Sequence, residues 1–168
     1  MAGPRAERSN AVGRPDGRSE TGLAAPVCSI AATLDVIGDR WSLLILRDVF
    51  RGARRFSEIQ GDLGIAKNLL SDRLSKLVDH EILERVPYHD RPVRYEYRLT
   101  AKGADLSTAL IALMGWGDRW YATGGAPIVL VHETCGHPLE QAVRCPHCDQ
   151  NVPPGAIRSR PGPGRTPS

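Results

Sequence analysis

The order in which the hydrophobic period changes along the chain constrains the fold more than any other feature. Between about Ile30 and His80 the apolar residues recur every three to four positions, which is the spacing of amphipathic helices. From Ile82 to Thr100 they alternate with polar residues as in a strand pair, and helical spacing then returns as far as about Tyr121. The sequence therefore predicts a mainly α fold with one small β-hairpin, an α+β domain.

Glycine-containing joints divide the first helical part into four segments. The Gly38-Asp39 step separates two helices, and the basic connection 51–55 leads into a short helix over 56–63 that Gly64 closes as a C-cap. A longer helix is expected over 66–80. With the hairpin and one last helix capped by Thr100, this is the element order of a winged helix, in which a helix-turn-helix precedes a two-stranded wing.

The two ends of the chain differ from this middle part. Residues 1–25 are rich in Gly, Pro, Arg, Ser and Ala without an apolar period, and residues 153–168 repeat Pro, Gly and Arg. We expect a disordered arm and a disordered basic tail there, because neither segment can bury enough apolar surface to offset the entropy of ordering. The winged helix-turn-helix domain is predicted over 26–124 and a short ribbon over 127–152. We find no internal repeat in the sequence.

No apolar run reaches the roughly 18 residues of a membrane helix, and the first ten residues lack the apolar core of a signal peptide. We therefore expect a cytoplasmic protein without membrane contact. In a reducing compartment, the cluster Cys135, Cys145 and Cys148 indicates metal binding or redox chemistry rather than a disulfide framework.

His132 and Cys135 are separated by two residues, as are Cys145 and Cys148, and two such pairs can hold a tetrahedral ion as in a zinc ribbon. The sequence thus predicts one structural zinc per chain, with short strands at 129–131 and 141–143. The three cysteines are ligands in this hypothesis, and the fourth is His132, His137 or His147, with His132 favoured by the matching spacing. In the alternative, Cys145 and Cys148 form a redox pair or stay free, and the histidines are solvated.

The helix over 66–80 corresponds to the recognition helix of a helix-turn-helix, whose N-terminal half faces base edges in the major groove. Lys67 and Asn68 begin this helix; an Asn side chain can pair with adenine, and a Lys side chain can reach guanine or phosphate. Ser71, Arg73 and Lys76 occupy the following turns and are expected to contact phosphate oxygens.

The segment 87–92 is predicted as the hairpin tip, stiffened by a proline at each end. It would present Arg91 and Arg94 to the minor groove, with His89 between solvent and DNA. The net charge of +3 is too small to identify a nucleic-acid binder, so the alternative is that these charges form an ordinary solvated face.

The chain resembles the HxlR family of bacterial winged-helix regulators over about residues 28–121. The resemblance rests on ordered motifs, which are ATLDVIGDRWSLLILRD at 32–48, FSEI at 56–59, LSDRL at 70–74, and YEYRLT at 95–100 followed by Gly103. It implies a homodimer with contacts from the first and last helices, which would place Ile30, Leu34, Trp116 and Trp120 at the interface. The alternative is that the two tryptophans fill the core of the monomer.

The resemblance also implies that Cys28, just before the first helix, is a thiol sensor for oxidants or electrophiles. The positive end of a helix favours a thiolate, although a lone cysteine is also a common inert apolar residue.

We therefore predict a sequence-specific DNA-binding transcription regulator that acts as a homodimer on an inverted-repeat operator in double-stranded DNA, with a redox or small-molecule effector. One alternative is a protein-interaction module that does not bind DNA, and another is a thiol- or metal-dependent enzyme. The enzyme is disfavoured because the sequence contains no phosphate-binding glycine loop, Gly-x-Ser-x-Gly or HExxH motif.

Overall fold

A computed structural model describes residues 28–163. Its elements follow the predicted order, and two antiparallel strands form its one sheet within the described residues. The elements are α1 Ser29–Ile37, α2 Arg40–Phe50, α3 Phe56–Leu63, α4 Lys67–Asp79, β1 Leu83–Asp90, β2 Val93–Leu99, α5 Ala101–Ala104 and α6 Ser107–Tyr121. The predicted α+β fold class is confirmed. None of the helices in residues 28–163 has both the length and the apolar character that a bilayer crossing requires.

The core is built from the inward faces of α2, α3 and α4 and is closed by the residues that begin β1. On α4, Leu70, Leu74 and Leu77 recur at the spacing of one helix face, and none of them is accessible to solvent. Burying a side chain of this size contributes about 1.5–3 kcal/mol each. The buried apolar side chains are Ile37, Ile45, Leu46, Val49, Ile59, Ile65, Leu70, Leu74, Leu77, Ile82 and Leu83.

The joint between α1 and α2 forms where the sequence predicts it. The Gly38 N–H donates to Leu34 O at 2.7 Å and closes α1. Asp39 then caps α2, since its Oδ1 accepts from the N–H groups of Trp41 at 3.1 Å and Ser42 at 3.0 Å. Backbone groups at the end of α1 and at the start of α2, which would otherwise lack partners, are thereby hydrogen-bonded within a two-residue step.

The wing differs from expectation at its tip. The segment 87–92 is predicted as the tip, but β1 continues through Pro87 to Asp90, and only Arg91 and Pro92 lie between the strands. The register shifts between Pro87 and His89. Pro87 cannot donate a ladder hydrogen bond, and a bulge at this point accommodates it without ending the strand.

The end of the domain also differs from expectation. One helix is predicted from Thr100 to Tyr121, but the structure has a short α5 and a separate α6. Thr100 does cap α5, because its Oγ1 accepts from the Gly103 N–H at 3.1 Å. The Leu106 N–H then donates to Gly103 O, only three residues back, which interrupts the α-helical pattern between α5 and α6.

After α6 the described chain consists mainly of turns. The strands predicted at 129–131 and 141–143 do not form; only isolated bridges join Val131 to Pro138 and Arg144 to Asn151, each within its own turn. A single 3-10 turn, Pro154–Ala156, lies in the predicted C-terminal tail. The predicted arm, residues 1–25, lies outside the described residues, as do residues 164–168 at the end of the tail.

Candidate nucleic-acid interface

The start of α4 presents three polar side chains to solvent. Gly64 ends α3 in the left-handed region with φ 61° and donates from its N–H to Gln60 O at 2.9 Å, so the chain turns sharply into α4. Lys67, Asn68 and Ser71 are exposed, and within residues 28–163 none of their side chains has a hydrogen-bond or ion-pair partner. This face of α4 is therefore available for an external ligand.

Arg73 and Lys76, predicted to contact phosphate, have partners inside the chain. Arg73 Nε donates to Asp39 Oδ1 at 2.9 Å, and Lys76 Nζ donates to Asp35 O at 2.9 Å. Both contacts join α4 to the region where α1 meets α2. The two cations therefore hold the recognition helix in place, and phosphate contact by them stays a prediction.

The Asp39 carboxylate is the centre of this junction. Burial alone would raise its pKa, but hydrogen bonds from the hydroxyl and N–H of Ser42, together with the hydrogen bond and charge of Arg73, lower the pKa below its ordinary value. The shortest of these bonds runs from Ser42 Oγ to Asp39 Oδ2 at 2.6 Å. Asp39 thus remains ionised while it both caps α2 and anchors α4.

The wing carries two free arginines. Arg91 and Arg94 are exposed and form no ion pair with any carboxylate in residues 28–163. His89, predicted to lie between solvent and DNA, is exposed, and its Nδ1 lies 2.9 Å from Pro92 O across the tip. His89 therefore fixes the shape of the turn that presents Arg91.

Two further arginines, which are not among the predicted site residues, lie at the wing. The Arg55 guanidinium stacks 4.6 Å from the Tyr88 ring centroid and lies 3.6 Å from a Glu96 carboxylate oxygen. Arg85 stacks 5.2 Å from the ring of Tyr95 on the opposite strand. The signal that could have identified the second pair is the alternation of the hairpin, which makes these residues diagonal cross-strand neighbours.

The loop between α2 and α3 is fastened to the wing. The Tyr97 N–H donates to Arg54 O at 2.7 Å, and Arg55 forms a bridge with Glu96. Glu58 accepts from the N–H groups of Arg54 and Arg55, and these hydrogen bonds lower the pKa of its carboxyl. The helix-turn-helix and the wing consequently share a hydrogen-bonded backbone connection.

The predicted metal ligands lie in two separate turns. His132 Nδ1 is 3.3 Å from Cys135 Sγ in the first turn. In the second, the N–H groups of Cys148 and His147 and the Cys148 thiol donate to Cys145 Sγ and lower its pKa. The structure therefore forms both pairs, but within residues 28–163 it does not bring three His, Cys, Asp or Glu side chains into one cluster that could hold an ion.

The predicted interface residues are exposed on α1 and α6. Ile30 is 71% exposed, Leu34 55%, Trp116 56% and Trp120 67%, and α6 contributes no fully buried residue. The alternative that both tryptophans fill the core of the monomer is therefore wrong. Cys28, the predicted sensor, is exposed directly before α1, where its carbonyl accepts from the Ala32 N–H at 2.9 Å.

Comparison with known proteins agrees with this geometry. A family model for the HxlR-like helix-turn-helix matches residues 36–124, from the end of α1 to just beyond α6. The chain belongs to this family. As an HxlR-like protein it is a helix-turn-helix transcription regulator, and the predicted family membership is confirmed.

Relatives and solved structures extend the likeness. The chain is 43% identical over 137 residues to an uncharacterized HTH-type transcriptional regulator of Mycobacterium tuberculosis, covering 81% of this chain and 87% of that protein. PA1607, solved as a candidate transcription factor, is 39% identical with a TM-score of 0.72, and the match covers 79% of this chain and 94% of PA1607. Matches that cover 81% and 79% of this chain are too long to end at residue 124, so both extend beyond the residues that the family model matches.

A third likeness is to the redox regulator HypR in its oxidized form, which is 31% identical with a TM-score of 0.51. That match covers 55% of this HxlR-like chain and 96% of HypR.

Proposed function

We propose that this HxlR-like protein binds an inverted-repeat operator in duplex DNA as a homodimer. The observation that carries the proposal is the exposed start of α4, where Lys67, Asn68 and Ser71 have no partner within the described chain although their helix is firmly packed. A rigid helix with an unpaired polar face matches the recognition helix of a helix-turn-helix. In this proposal Asn68 reads a base edge, and Lys67 contacts guanine or phosphate.

The wing has a different role in the proposal. Arg91 and Arg94 contribute charge next to the duplex, which adds affinity without reading the sequence, while His89 and the Arg55–Tyr88 stack keep the hairpin in shape. Arg73 and Lys76 act indirectly by holding α4 against the α1–α2 joint. Base reading and phosphate attraction are thereby assigned to different parts of the domain.

The DNA-binding proposal is tested by selecting bound sequences from a pool of randomised duplexes and then measuring affinity by fluorescence anisotropy at several salt concentrations. We expect an inverted repeat with half-site centres about 10 base pairs apart, or a multiple of that spacing. Arg91→Ala and Arg94→Ala should each weaken binding to all sequences and reduce the slope of affinity against salt by about one. Asn68→Ala should relax specificity at one position in each half-site, at a cost of about 1–3 kcal/mol.

Arg98 provides the matched control, since it lies on the same hairpin but pairs with Glu96 at 3.1 Å. Arg98→Ala removes the same charge and should change the salt slope less than Arg91→Ala. If the chain selects no common sequence and its affinity for duplex DNA is independent of salt, it is an interaction module and the proposal fails. Equal, sequence-independent losses for Asn68→Ala and the wing variants would contradict the separate roles.

The homodimer is proposed from the surface of α1 and α6. Ile30, Leu34, Trp116 and Trp120 are large apolar side chains that remain more than half exposed on these two helices, and such side chains mark a protein-binding surface when they lie together. A second copy of the same surface is the occupant proposed here, and it would place two α4 helices on adjacent turns of DNA.

Analytical ultracentrifugation of the full chain tests the interface. We expect Trp116→Glu to convert the dimer into a folded monomer that also loses affinity for the inverted repeat. Ile157→Glu is the control, since Ile157 is 50% exposed and follows the 3-10 turn, so it is not part of either helix. If Trp116→Glu remains a dimer, or if Ile157→Glu becomes a monomer, the interface does not lie on α1 and α6 as proposed.

A response to oxidants is a second element of the proposal, supported by the likeness to HypR and by the exposure of Cys28. We expect diamide treatment to lower operator affinity in the wild-type protein but not in Cys28→Ser. Untreated Cys28→Ser is the control and should bind the operator as tightly as the untreated wild-type protein. Unchanged diamide sensitivity of Cys28→Ser would remove Cys28 as the sensor without affecting the DNA-binding proposal.

A further inference from the structure

The equal spacing of the pairs His132/Cys135 and Cys145/Cys148 extends to the backbone hydrogen bonds of the segment after α6. In the first turn, the His132 N–H donates to His137 O at 2.9 Å, Gly136 N–H to His132 O at 2.7 Å and Leu139 N–H to Leu130 O at 2.8 Å. These three bonds close a compact turn with His132 and Cys135 at its tip.

The second turn repeats this pattern at an offset of 13 positions, which superposes His132 on Cys145. The Cys145 N–H donates to Gln150 O at 2.9 Å, Asp149 N–H to Cys145 O at 2.9 Å and Val152 N–H to Val143 O at 2.7 Å. Each of these three bonds of the first turn therefore has its counterpart in the second. The first turn also has a bond from the Cys135 N–H to His132 O at 3.2 Å, and among the described residues no matching bond runs from the Cys148 N–H to Cys145 O.

Two backbone details repeat as well. The bridge between Val131 and Pro138 corresponds to the bridge between Arg144 and Asn151. The residues that follow Cys135 and Cys148, the second members of the two pairs, adopt a left-handed conformation, with φ 70° at Gly136 and φ 62° at Asp149. Asp tolerates this region better than most residues, so a sequence with little identity between the two copies can build the same turn.

The repeat decides between the three candidate histidines. His132 occupies the position of Cys145, and Cys135 that of Cys148, so these four side chains form two equivalent pairs. His147 corresponds to Thr134 and lies between two ligand positions. His137 corresponds to Gln150 and lies outside both pairs.

We propose that the two turns close on one zinc ion through His132, Cys135, Cys145 and Cys148. One nitrogen and three sulfur donors, in pairs with two intervening residues, are a donor set that selects Zn²⁺ among the common divalent ions and leaves no open position for catalysis. Within residues 28–163 no three such side chains form one cluster, so the proposal requires metal binding to bring together the two turns, which residues 140–142 link. Binding deprotonates the three thiols and releases the protons to solvent.

The linker between the two turns contacts α6, one of the two helices of the proposed dimer interface. Gln141 Nε2 donates to Thr108 O in the first turn of α6 at 3.4 Å. Ile128 and Leu130, just before the first turn, line a cavity of about 490 Å³ together with apolar residues of α2 and α6. A closed zinc site would therefore hold the end of the chain against α6, and its removal should loosen the segment after α6 while α2, α3 and α4 stay folded.

The first test measures metal in the full-length protein, purified under reducing conditions. We expect about one zinc per chain by elemental analysis. Replacement by Co²⁺ should give the visible bands of a tetrahedral ion and thiolate charge-transfer bands in the near ultraviolet. Wild-type protein that contains no zinc and does not bind added Zn²⁺ or Co²⁺ overturns the proposal, as does a Cys145–Cys148 disulfide that survives these conditions.

The second test uses the repeat itself. His132→Ala and Cys135→Ser should each weaken zinc affinity by more than the roughly 10- to 100-fold that loss of an outer hydrogen-bond partner causes. His147→Ala and His137→Ala are the matched controls and should retain about one zinc per chain. His132→Cys places a thiol at the position equivalent to Cys145 and should retain zinc with stronger cobalt charge-transfer bands.

Failure of His132→Cys to hold zinc, or equal metal loss in His147→Ala and His132→Ala, would refute the correspondence between the two turns. Circular dichroism of each variant distinguishes loss of a ligand from loss of the fold, since the helices lie outside the two turns. These measurements require no DNA, so the zinc site and the operator proposal can fail independently.

Discussion

The ion pair between Arg73 and Asp39 offers a sharp test of how α4 is held. Arg73 is predicted from sequence to contact phosphate, but the structure places its guanidinium 2.9 Å from Asp39, with side-chain exposures of 30% and 28%. Exposed pairs contribute about 0.2–1 kcal/mol, and hydrogen bonds to charged groups about 1.5–3 kcal/mol. For this half-buried pair we expect a contribution of about 1 kcal/mol.

Asp39→Ala should cost more than Arg73→Ala, because it also removes the cap of α2. Loss of an N-cap costs about 1–2 kcal/mol, so the total for Asp39→Ala is about 2–3 kcal/mol. The double variant should be no less stable than Asp39→Ala alone, which leaves a coupling free energy of about 1 kcal/mol. The measurement is urea unfolding followed by tryptophan fluorescence, at one protein concentration because dimer formation shifts apparent stability.

DNA binding separates this role from phosphate contact. Arg73→Ala should lower stability and leave the slope of affinity against salt unchanged, whereas Lys67→Ala should leave stability unchanged. If Arg73→Ala unfolds with the wild-type free energy and reduces the salt slope by about one, Arg73 is a phosphate ligand and the positioning role is refuted.

Three further outcomes are expected. Because the pKa of Asp39 is lowered in the folded state, its contribution to stability is present above its ordinary pKa and is lost as the pH falls through the lowered value. When the free energy of unfolding is measured against pH in the acid range, Asp39→Asn should therefore depend less on pH than the wild-type protein, and an equal slope would contradict this expectation. Gly103→Ala should destabilise the protein by about 1–3 kcal/mol, since an added Cβ would lie 2.1 Å from Ile82 O. Gly61→Ala in α3, where an added Cβ has no neighbour within 4 Å, should stabilise it by up to about 1 kcal/mol, and calorimetry that finds the same sign for both variants would refute the packing argument. Thr100→Val should cost about 1–2 kcal/mol in urea unfolding by removing the cap of α5, and a neutral result would show that the Gly103 N–H finds another acceptor.

Local chemistry explains which parts of the fold could be predicted from the sequence. The inward row Leu70, Leu74 and Leu77 follows from helical spacing, and Gly64 ends α3 because glycine adopts the left-handed conformation without strain. Thr100 caps the next helix for a similarly local reason, a hydroxyl that reaches an N–H three residues away. Each of these predictions depends on residues that are close in sequence.

The misplaced hairpin tip has a cause that local patterns do not contain. A proline usually indicates a turn, but Pro87 remains in β1 because β2 pairs on both sides of it and the bulge accommodates its missing donor. Likewise, no pattern within 100–121 marks the break between α5 and α6. The break follows Gly103, which packs closely against Ile82, the residue just before β1.

The candidate site divides in the same way. The residue types at the start of α4 and on the wing were identifiable, since Lys, Asn and Arg at those positions are typical of DNA contact. Which of them are free was not identifiable, because the partners of Arg73 and Lys76 lie 34 and 41 residues away along the chain. The equivalence of His132 and Cys145 was indicated by the equal spacing of the two pairs, and the backbone hydrogen bonds of the two turns support it.

Local patterns were sufficient to predict the order of elements up to the last helix, the inward faces of the helices, the caps at Gly64 and Thr100 and the family, because periodicity and capping act over a few residues. The packed fold was needed to show where the wing turns, where the last helix breaks and which cations are already paired. Those features depend on contacts between residues that are distant in sequence, and local sequence patterns do not specify such contacts.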